Sequence, residues 1–156
     1  MGAEQDRNKE TVRRLYQEVW NEGRVDRADQ YVHEEFEDHP PTRFWDLNLR
    51  GPRALTDAVV QFHNAMPDFH DEPERIVAEG DRVVYLGQIS GTLKGELFGF
   101  QPTGKSMKVW GVNFFRMEDG KVRERWGQFD VLGMVQQLGL APGPGGEGGP
   151  PHGGQG

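Results

Sequence analysis

The sequence predicts an α+β domain in which helices cover one face of an antiparallel sheet. Three observations support this class. Apolar residues recur at helical spacing near the N-terminus, extended segments rich in aromatic and β-branched residues follow over residues 69–130, and a short amphipathic segment comes last. Helices followed by neighbouring strands, without regular alternation of the two, are typical of α+β proteins.

The N-terminal part predicts two helices and a short extended segment. A first helix over residues 9–21, capped by Asn8, is indicated by one apolar stripe of Val12, Leu15, Tyr16, Val19 and Trp20. A second, shorter helix is expected at about residues 25–32. Residues 36–39 then have the pattern of an extended segment, which Pro40 ends.

The middle of the chain predicts a third helix and two strands. Pro52 suits the first turn of a helix that ends before Pro67, and its buried stripe comprises Leu55, Val59, Phe62 and Met66. Two strands are expected near residues 69–79 and 82–92, with the turn Gly80-Asp81 between them.

Residues 103–130 give the clearest local signal, a long hairpin. Aromatic and β-branched residues fill both arms, and the turn Glu118-Asp119-Gly120 supplies a glycine for the positive φ that tight hairpin turns require. A short helix over residues 131–138 follows directly and completes the expected fold.

Composition limits the classes of function. The chain has 156 residues and a net charge of −7, and no basic cluster stands out, so neither nucleic acid nor a membrane surface is an expected partner. We expect one domain over residues 1–140 and a disordered Gly/Pro-rich tail over 141–156. The sequence contains no cysteine, which excludes disulfides and thiolate chemistry. A polar N-terminus and the lack of any run of ~20 apolar residues predict a cytoplasmic protein.

Five segments match a known family pattern in order and in spacing: YQEVWNEGRVDRADQYVHEEFEDHPP, AMPDFH, GELFGFQPTGK, FFRMEDGKVRERW and FDVLGMVQQLG. Through them, residues 8–139 resemble the SnoaL-like polyketide cyclases, which have the NTF2-like α+β cone fold. The resemblance implies N-terminal helices packed on a strongly bent antiparallel sheet, with a short C-terminal helix. The chain departs from the pattern at Leu93, where many relatives carry histidine, and at Gly87, where relatives often carry tryptophan.

The resemblance also implies a reaction. In these cyclases an ester-bearing polyketide closes a ring by intramolecular aldol condensation without metal or cofactor, so a small hydrophobic or polycyclic carbonyl compound is the expected ligand. The single acid and base of that reaction corresponds to Asp130. Asp130 shares strand parity with Trp126 and Gln128, and burial beside Trp126 would raise its pKa toward the working range. Its position before the last helix equally suits an N-cap.

Asp38 and His39 form a second candidate site. A similar acidic residue near a proline holds the proton-shuttling base of ketosteroid isomerase, so an isomerase-like proton shuttle is one alternative function, and a non-catalytic module that binds a small apolar ligand is another. No histidine spacing suggests a metal site. Arg123 and Arg125 have strand parity opposite to Asp130, which argues against the Asp-Arg-Asp site of epoxide hydrolases that share this fold.

Further residues are expected to line the pocket from the helices and the hairpin: Trp20, Phe62, Met66, Phe69, Asn113, Trp126 and Gln128. Trp110, Val112 and Phe114 share one strand face, and if Asn113 faces the helices, this apolar row remains on the open side of the sheet. An uncovered apolar row of this size predicts a homodimer.

Overall fold

A computed structural model describes residues 2–43 and 46–141 of the chain. Within these residues the helices are α1 (Gly2–Arg14), α2 (Pro52–Ala65) and α3 (Val131–Gln137). The strands are β1 (Val32–His39), β2 (His70–Glu79), β3 (Arg82–Thr92), β4 (Ser106–Glu118) and β5 (Lys121–Phe129). Apart from Ala141, the tail expected over 141–156 lies outside the described residues.

The strands form one five-stranded sheet in the order β1-β5-β4-β3-β2. β2, β3, β4 and β5 make a continuous antiparallel meander, while β1 joins the far edge parallel to β5. At the β4–β5 turn, Asp119 and Gly120 have φ values of 55° and 74°. A two-residue turn with both φ values positive matches the twist of the flanking strands, so the structure confirms the hairpin expected from the sequence.

The helices cover one face of this sheet, which confirms the α+β class. The apolar stripe expected in the first helix is buried, with Val12, Leu15 and Val19 fully inaccessible to solvent. α2 buries Leu55 and Val59 on the same side of the sheet. No described helix is long and apolar enough to cross a membrane. The cytoplasmic location stays a prediction.

The N-terminal segment differs from the expectation in three respects. α1 begins at Gly2 and continues over Leu15–Asn21 as a π-helix. Asn8 therefore lies inside the helix instead of capping it, and its amide donates to the Gly80 carbonyl at 3.5 Å. The second expected helix is a 3-10 helix over Val25–Gln30. β1 is longer than expected, because pairing with β5 begins as early as Val32.

The pleat of β4 separates two kinds of side chain. Gly111 and Asn113 face the helices, and Asn113 is only 8% exposed. Trp110, Val112 and Phe114 point to the other face, where their exposed fractions are 48%, 40% and 40%. Trp126 of β5 lies beside Phe114 on this outer face, with 5.7 Å between ring centroids. The sheet therefore has a polar stretch inside and an apolar patch outside.

Candidate functional site

A cavity of about 60 Å³ lies between the π-helix, α2, α3 and the inner face of the sheet. Its walls are mainly apolar and consist of Trp20, Phe62, Phe69, Ile89, Phe129 and Met134. Its polar groups are Tyr16, Asp71, Asn113, Arg125 and Gln128. An apolar enclosure with a few convergent polar side chains is typical of small-molecule sites.

Asp71 supplies a buried carboxyl group to this cavity. The residue is 4% exposed, and its Oδ1 accepts a hydrogen bond from the Tyr85 hydroxyl at 3.0 Å. Its backbone is held at two points by Asn21, whose Oδ1 accepts from the Asp71 N–H at 2.8 Å and whose Nδ2 donates to the Asp71 carbonyl at 3.0 Å. Asn21 is the last residue of the π-helix, so the end of this helix holds the β2 backbone in place at Asp71.

Gly87 makes the room in which the Asp71 carboxyl group lies. A Cβ atom at position 87 would come within 2.5 Å of Asp71 Oδ1 and 2.8 Å of the Tyr85 ring. Both contacts are too short for a carbon atom. Gly87 therefore provides the space that the buried carboxyl group occupies.

Burial raises the pKa of Asp71 to about 7, although the hydrogen bond from Tyr85 and the positive charge of Arg125 oppose the shift. Desolvation disfavours the charged form, and here it outweighs both stabilising contacts. Burial likewise raises the pKa of Tyr16, so its hydroxyl stays protonated and remains a donor at neutral pH. A carboxyl group whose pKa lies near neutrality can both accept and return a proton.

Arg125 faces the cavity from β5, and Asp38 of β1 balances its charge. The Nε atom of Arg125 lies 3.0 Å from Asp38 Oδ1, and Arg125 is 9% exposed. Burial raises the pKa of Asp38 and the guanidinium of Arg125 opposes this. The parity argument against an Asp-Arg-Asp arrangement is therefore wrong. Arg125 is indeed opposite to Trp126, but the Arg125 side is the one that faces the cavity.

Asp130 lies at the edge of the cavity, outside its lining. Phe129 and Met134 on either side of it contribute to the wall, whereas the Asp130 side chain is exposed. Its Oδ1 accepts the backbone N–H of Gly133 at 2.8 Å, the geometry of an N-cap on α3. The catalytic role that the resemblance gives to Asp130 stays a prediction.

The structure brings together five of the seven other expected lining residues: Trp20, Phe62, Phe69, Asn113 and Gln128. Met66 is instead packed in the core against Gly91, and Trp126 lies on the outer face of the sheet. His39 is outside too, stacked on Trp126 with its Nε2 2.7 Å from Glu124.

Sequence reasoning missed Asp71 and Arg125 as groups that line the cavity. Asp71 is flanked by His70 and Glu72, so the segment has the pattern of a solvated strand. Gly87 was the one available signal, because a glycine inside a strand often marks a close approach by another group.

Among the described residues, His33, Glu118 and Asp119 are close enough to hold a metal ion. His33 Nδ1 accepts the backbone N–H of Glu35 at 3.0 Å, so the neutral ring carries its proton on Nε2. That atom faces both carboxylates at 3.6 Å. A protonated ring nitrogen cannot ligate a metal, and the arrangement fits an electrostatic contact at the β4–β5 turn better.

The fold is an α+β cone with an apolar cavity on the inner face of its sheet, and comparisons with known proteins identify its family. A family model of the SnoaL-like polyketide cyclases matches residues 10–138. Aklanonic acid methyl ester cyclase DnrD from Streptomyces peucetius is 31% identical over 129 residues, which cover 82% of this chain and 88% of that protein. Nogalonic acid methyl ester cyclase from Streptomyces nogalater is 30% identical over 122 residues, covering 78% and 90%.

Solved structures show the same fold. A Jannaschia sp. CCS1 protein assigned to the SnoaL-like polyketide cyclases superimposes with a TM-score of 0.77 at 25% identity, covering 88% of this chain and 95% of that one. TsrD from Streptomyces laurentii gives a TM-score of 0.74 at 26% identity, covering 84% and 96%. The chain belongs to the SnoaL-like polyketide cyclase family, with the NTF2-like fold that its sequence resemblance implied.

The raised pKa of Asp71 predicts how stability changes with pH. The folded protein keeps a proton between the ordinary value of 3.8 and about 7, where the unfolded chain has released it, so stability falls as pH rises through this range. The loss amounts to at most about 4 kcal/mol. Asp71→Asn should remove this slope, measured by urea unfolding across the range, while Asp130→Asn keeps it. Equal slopes for Asp71→Asn and the parent protein would contradict the burial argument.

The cap at α3 predicts a separate effect on stability. Asp130→Ala should lower the free energy of unfolding by about 1 kcal/mol, because the Gly133 N–H loses its acceptor, whereas Asn retains most of the cap. Thermal and urea unfolding of both variants measure the difference. An alanine variant as stable as the parent would show that the cap contributes nothing.

Proposed function

We propose that the protein closes a ring in a polyketide ester by intramolecular aldol condensation, with Asp71 as the acid and base inside the cavity. One observation carries this proposal: a buried carboxyl group, with a pKa raised to about 7, lines an apolar cavity that also holds the donors Tyr16, Asn113 and Arg125. Perturbed titratable groups in clefts are candidates for catalysis.

The chemistry needs one carboxyl group in two successive roles. The Asp71 carboxylate removes a proton from a carbon between two carbonyl groups, and the resulting enolate carbon attacks a ketone of the same molecule. A carbon–carbon bond forms while the ketone becomes an alkoxide. Asp71, now a carboxylic acid, returns the proton to the alkoxide. Protons and electrons balance within the substrate, so the reaction as proposed requires no oxidant and no cofactor.

The substrate class is inferred from the cavity walls and from the relatives. Six apolar side chains surround the polar groups, which suits a hydrophobic or polycyclic carbonyl compound. Two relatives are methyl ester cyclases for aklanonic acid and nogalonic acid, so a polycyclic methyl ester is the proposed substrate. A cavity of about 60 Å³ holds a few water molecules, and a polycyclic compound therefore requires part of the aromatic wall to move outward.

The geometry supports Asp71 over Asp130 as the base for a physical reason. The Asp130 carboxyl group faces water, caps α3 and lies outside the cavity lining, whereas Asp71 lies among the groups that would contact a bound substrate. Asp71 has lost its water, which favours the protonated form. The assignment of Asp130 by resemblance is the competing prediction, and the two assignments differ in what substitution does to turnover.

With aklanonic acid methyl ester as substrate, Asp71→Asn should lower kcat by about a hundredfold or more, the usual contribution of a general acid or base. Asp130→Asn keeps the cap and should retain most of the rate. Stopped-flow absorbance of ring closure measures both variants. The reverse result, with Asp130→Asn inactive and Asp71→Asn active, would move the base to Asp130. If the parent protein does not convert this compound, the compound is not its substrate.

The isomerase-like alternative at Asp38 has less support, because Asp38 is paired with Arg125 and is absent from the cavity lining among the described residues. A non-catalytic binder would turn over none of these substrates.

We also propose that the protein is a homodimer that pairs through the outer face of the sheet. Trp110, Val112, Phe114 and Trp126 form a contiguous exposed apolar patch there, since the strand register places Val112 and Phe114 opposite Leu86 and Val84 of β3. Patches of this kind usually mark interfaces. A second copy would cover the patch symmetrically.

Sedimentation equilibrium at micromolar concentration should give a dimer for the parent protein and a monomer for Trp110→Glu, because a buried unpaired carboxylate opposes association. The matched control is Val60→Glu on α2, where an apolar residue of similar exposure (45%) lies on the helical side. A monomeric parent protein, or a control that dissociates equally, would defeat the proposal.

A further inference from the structure

Arg125 is a buried cation whose charge is only partly paired with that of neighbouring residues. It is 9% exposed, and a guanidinium at this depth is expensive unless it is paired. Asp38 approaches the Nε edge at 3.0 Å, but the two atoms form an ion pair without the alignment of a hydrogen bond. The terminal nitrogens of Arg125 donate no hydrogen bond to any residue that the structure describes.

The guanidinium is directed along β5 over Gly127. A Cβ atom at position 127 would come within 2.9 Å of the guanidinium carbon, so the side chain occupies space that only glycine leaves open. Gly127 pairs across the strands with Asn113, whose side chain also lines the cavity. The Asn113 amide, too, makes no hydrogen bond to any described residue. Two sets of unused donors therefore adjoin at one end of the cavity.

We propose that Arg125 and Asn113 form an anion-binding site for a planar oxygen anion, the enolate or phenolate oxygen of the substrate. This inference rests on the proposed function only in so far as that reaction forms an enolate. Arg125 offers a charged donor and Asn113 a neutral one, both largely withdrawn from water, so charge that develops on the oxygen is stabilised with little reorganisation of water. Asp38 keeps the site neutral before the anion arrives.

A purely structural reading assigns Arg125 to Asp38 alone. That reading accounts for the Nε edge and leaves the terminal nitrogens without a role. It predicts that the affinity of the cavity for anions does not depend on Arg125. A measurement of ligand binding, without any turnover, therefore distinguishes the two hypotheses.

The probe is para-nitrophenol, a small planar phenol whose ionisation is visible as a yellow colour. An opposite charge at contact distance lowers the pKa of an acid by about 1 to 3 units. With protein in excess, the midpoint of the colour change should fall by at least about one pH unit in the parent protein. It should fall equally in Arg123→Met, the matched control, because Arg123 is on the same strand and pairs with Glu35, Glu37 and Glu118 away from the cavity lining.

Arg125→Met should abolish this shift, and Arg125→Lys should keep part of it, since the charge remains but the planar fork is lost. The double variant Asp38→Asn/Arg125→Met removes both charges together and provides a folded comparison if the single variant unfolds. The titratable groups that face Arg125 are Asp38, Asp71 and Tyr16. Repeating the titration in Asp71→Asn removes the carboxyl group that shares the cavity.

Two outcomes overturn the inference: a parent protein that does not shift the probe, and an Arg125→Met variant that shifts it as much as the parent. Both are independent of cyclase activity. A shift that depends on Arg125 in a protein that cyclises no ester would uphold the anion site and reject the proposed function. A parent protein that cyclises the ester but does not shift the probe would uphold the function and reject the site.

Discussion

The pleat of the β4–β5 hairpin is the constraint on which the other features depend. Side chains on a strand alternate between faces, so one choice of register decides which residues meet the helices. Here it directs Gly111, Asn113 and Arg125 toward the cavity, with Val109 and Phe115 buried on the same face, and it directs Trp110, Val112, Phe114 and Trp126 outward. Small and polar residues on the inner face leave a cavity open, while the apolar residues that would have filled it form the outer patch. The cavity and the proposed dimer surface thus arise from the same alternation.

Local signals were sufficient for most of the fold and insufficient for the site. The hairpin, α2 and the strands β2 and β3 follow from periodicity and turn residues, which depend only on neighbours in sequence. The length of β1 does not follow from such local signals, because its residues are held extended by parallel pairing with β5. Parity correctly separated Trp126 from Arg125, but parity alone does not say which face is covered. Asp130 lies beyond the end of β5, as the N-cap of α3. The burial of Asp71 could not be predicted from its neighbours in sequence, because it depends on contacts with Tyr85 and Gly87, which lie 14 and 16 positions away.

The interior of this protein holds more ionisable groups than stability requires. Asp71 and Arg125 line the cavity, Asp38 pairs with Arg125, and all three are largely withdrawn from water. Replacing such groups with apolar residues is often neutral or stabilising, so their presence is better explained by chemistry than by folding. Tyr85 and Asn21 have the supporting role, since they limit how the Asp71 carboxyl group can move. Burying these groups lowers stability, and the apolar core in which α1 and α2 pack offsets that loss.

Gly87 has a consequence for how proteins of this kind can diverge. A single-base change from a glycine codon to an alanine codon places a methyl group where the Asp71 carboxyl oxygen lies. The same methyl group would come within 2.9 Å of the Glu72 carbonyl oxygen on β2, so the paired strand would also have to shift locally. A descendant with that change would retain the cone and lose the geometry of the carboxyl group. One nucleotide therefore separates a gene for this site from a gene for the same scaffold with an altered pocket.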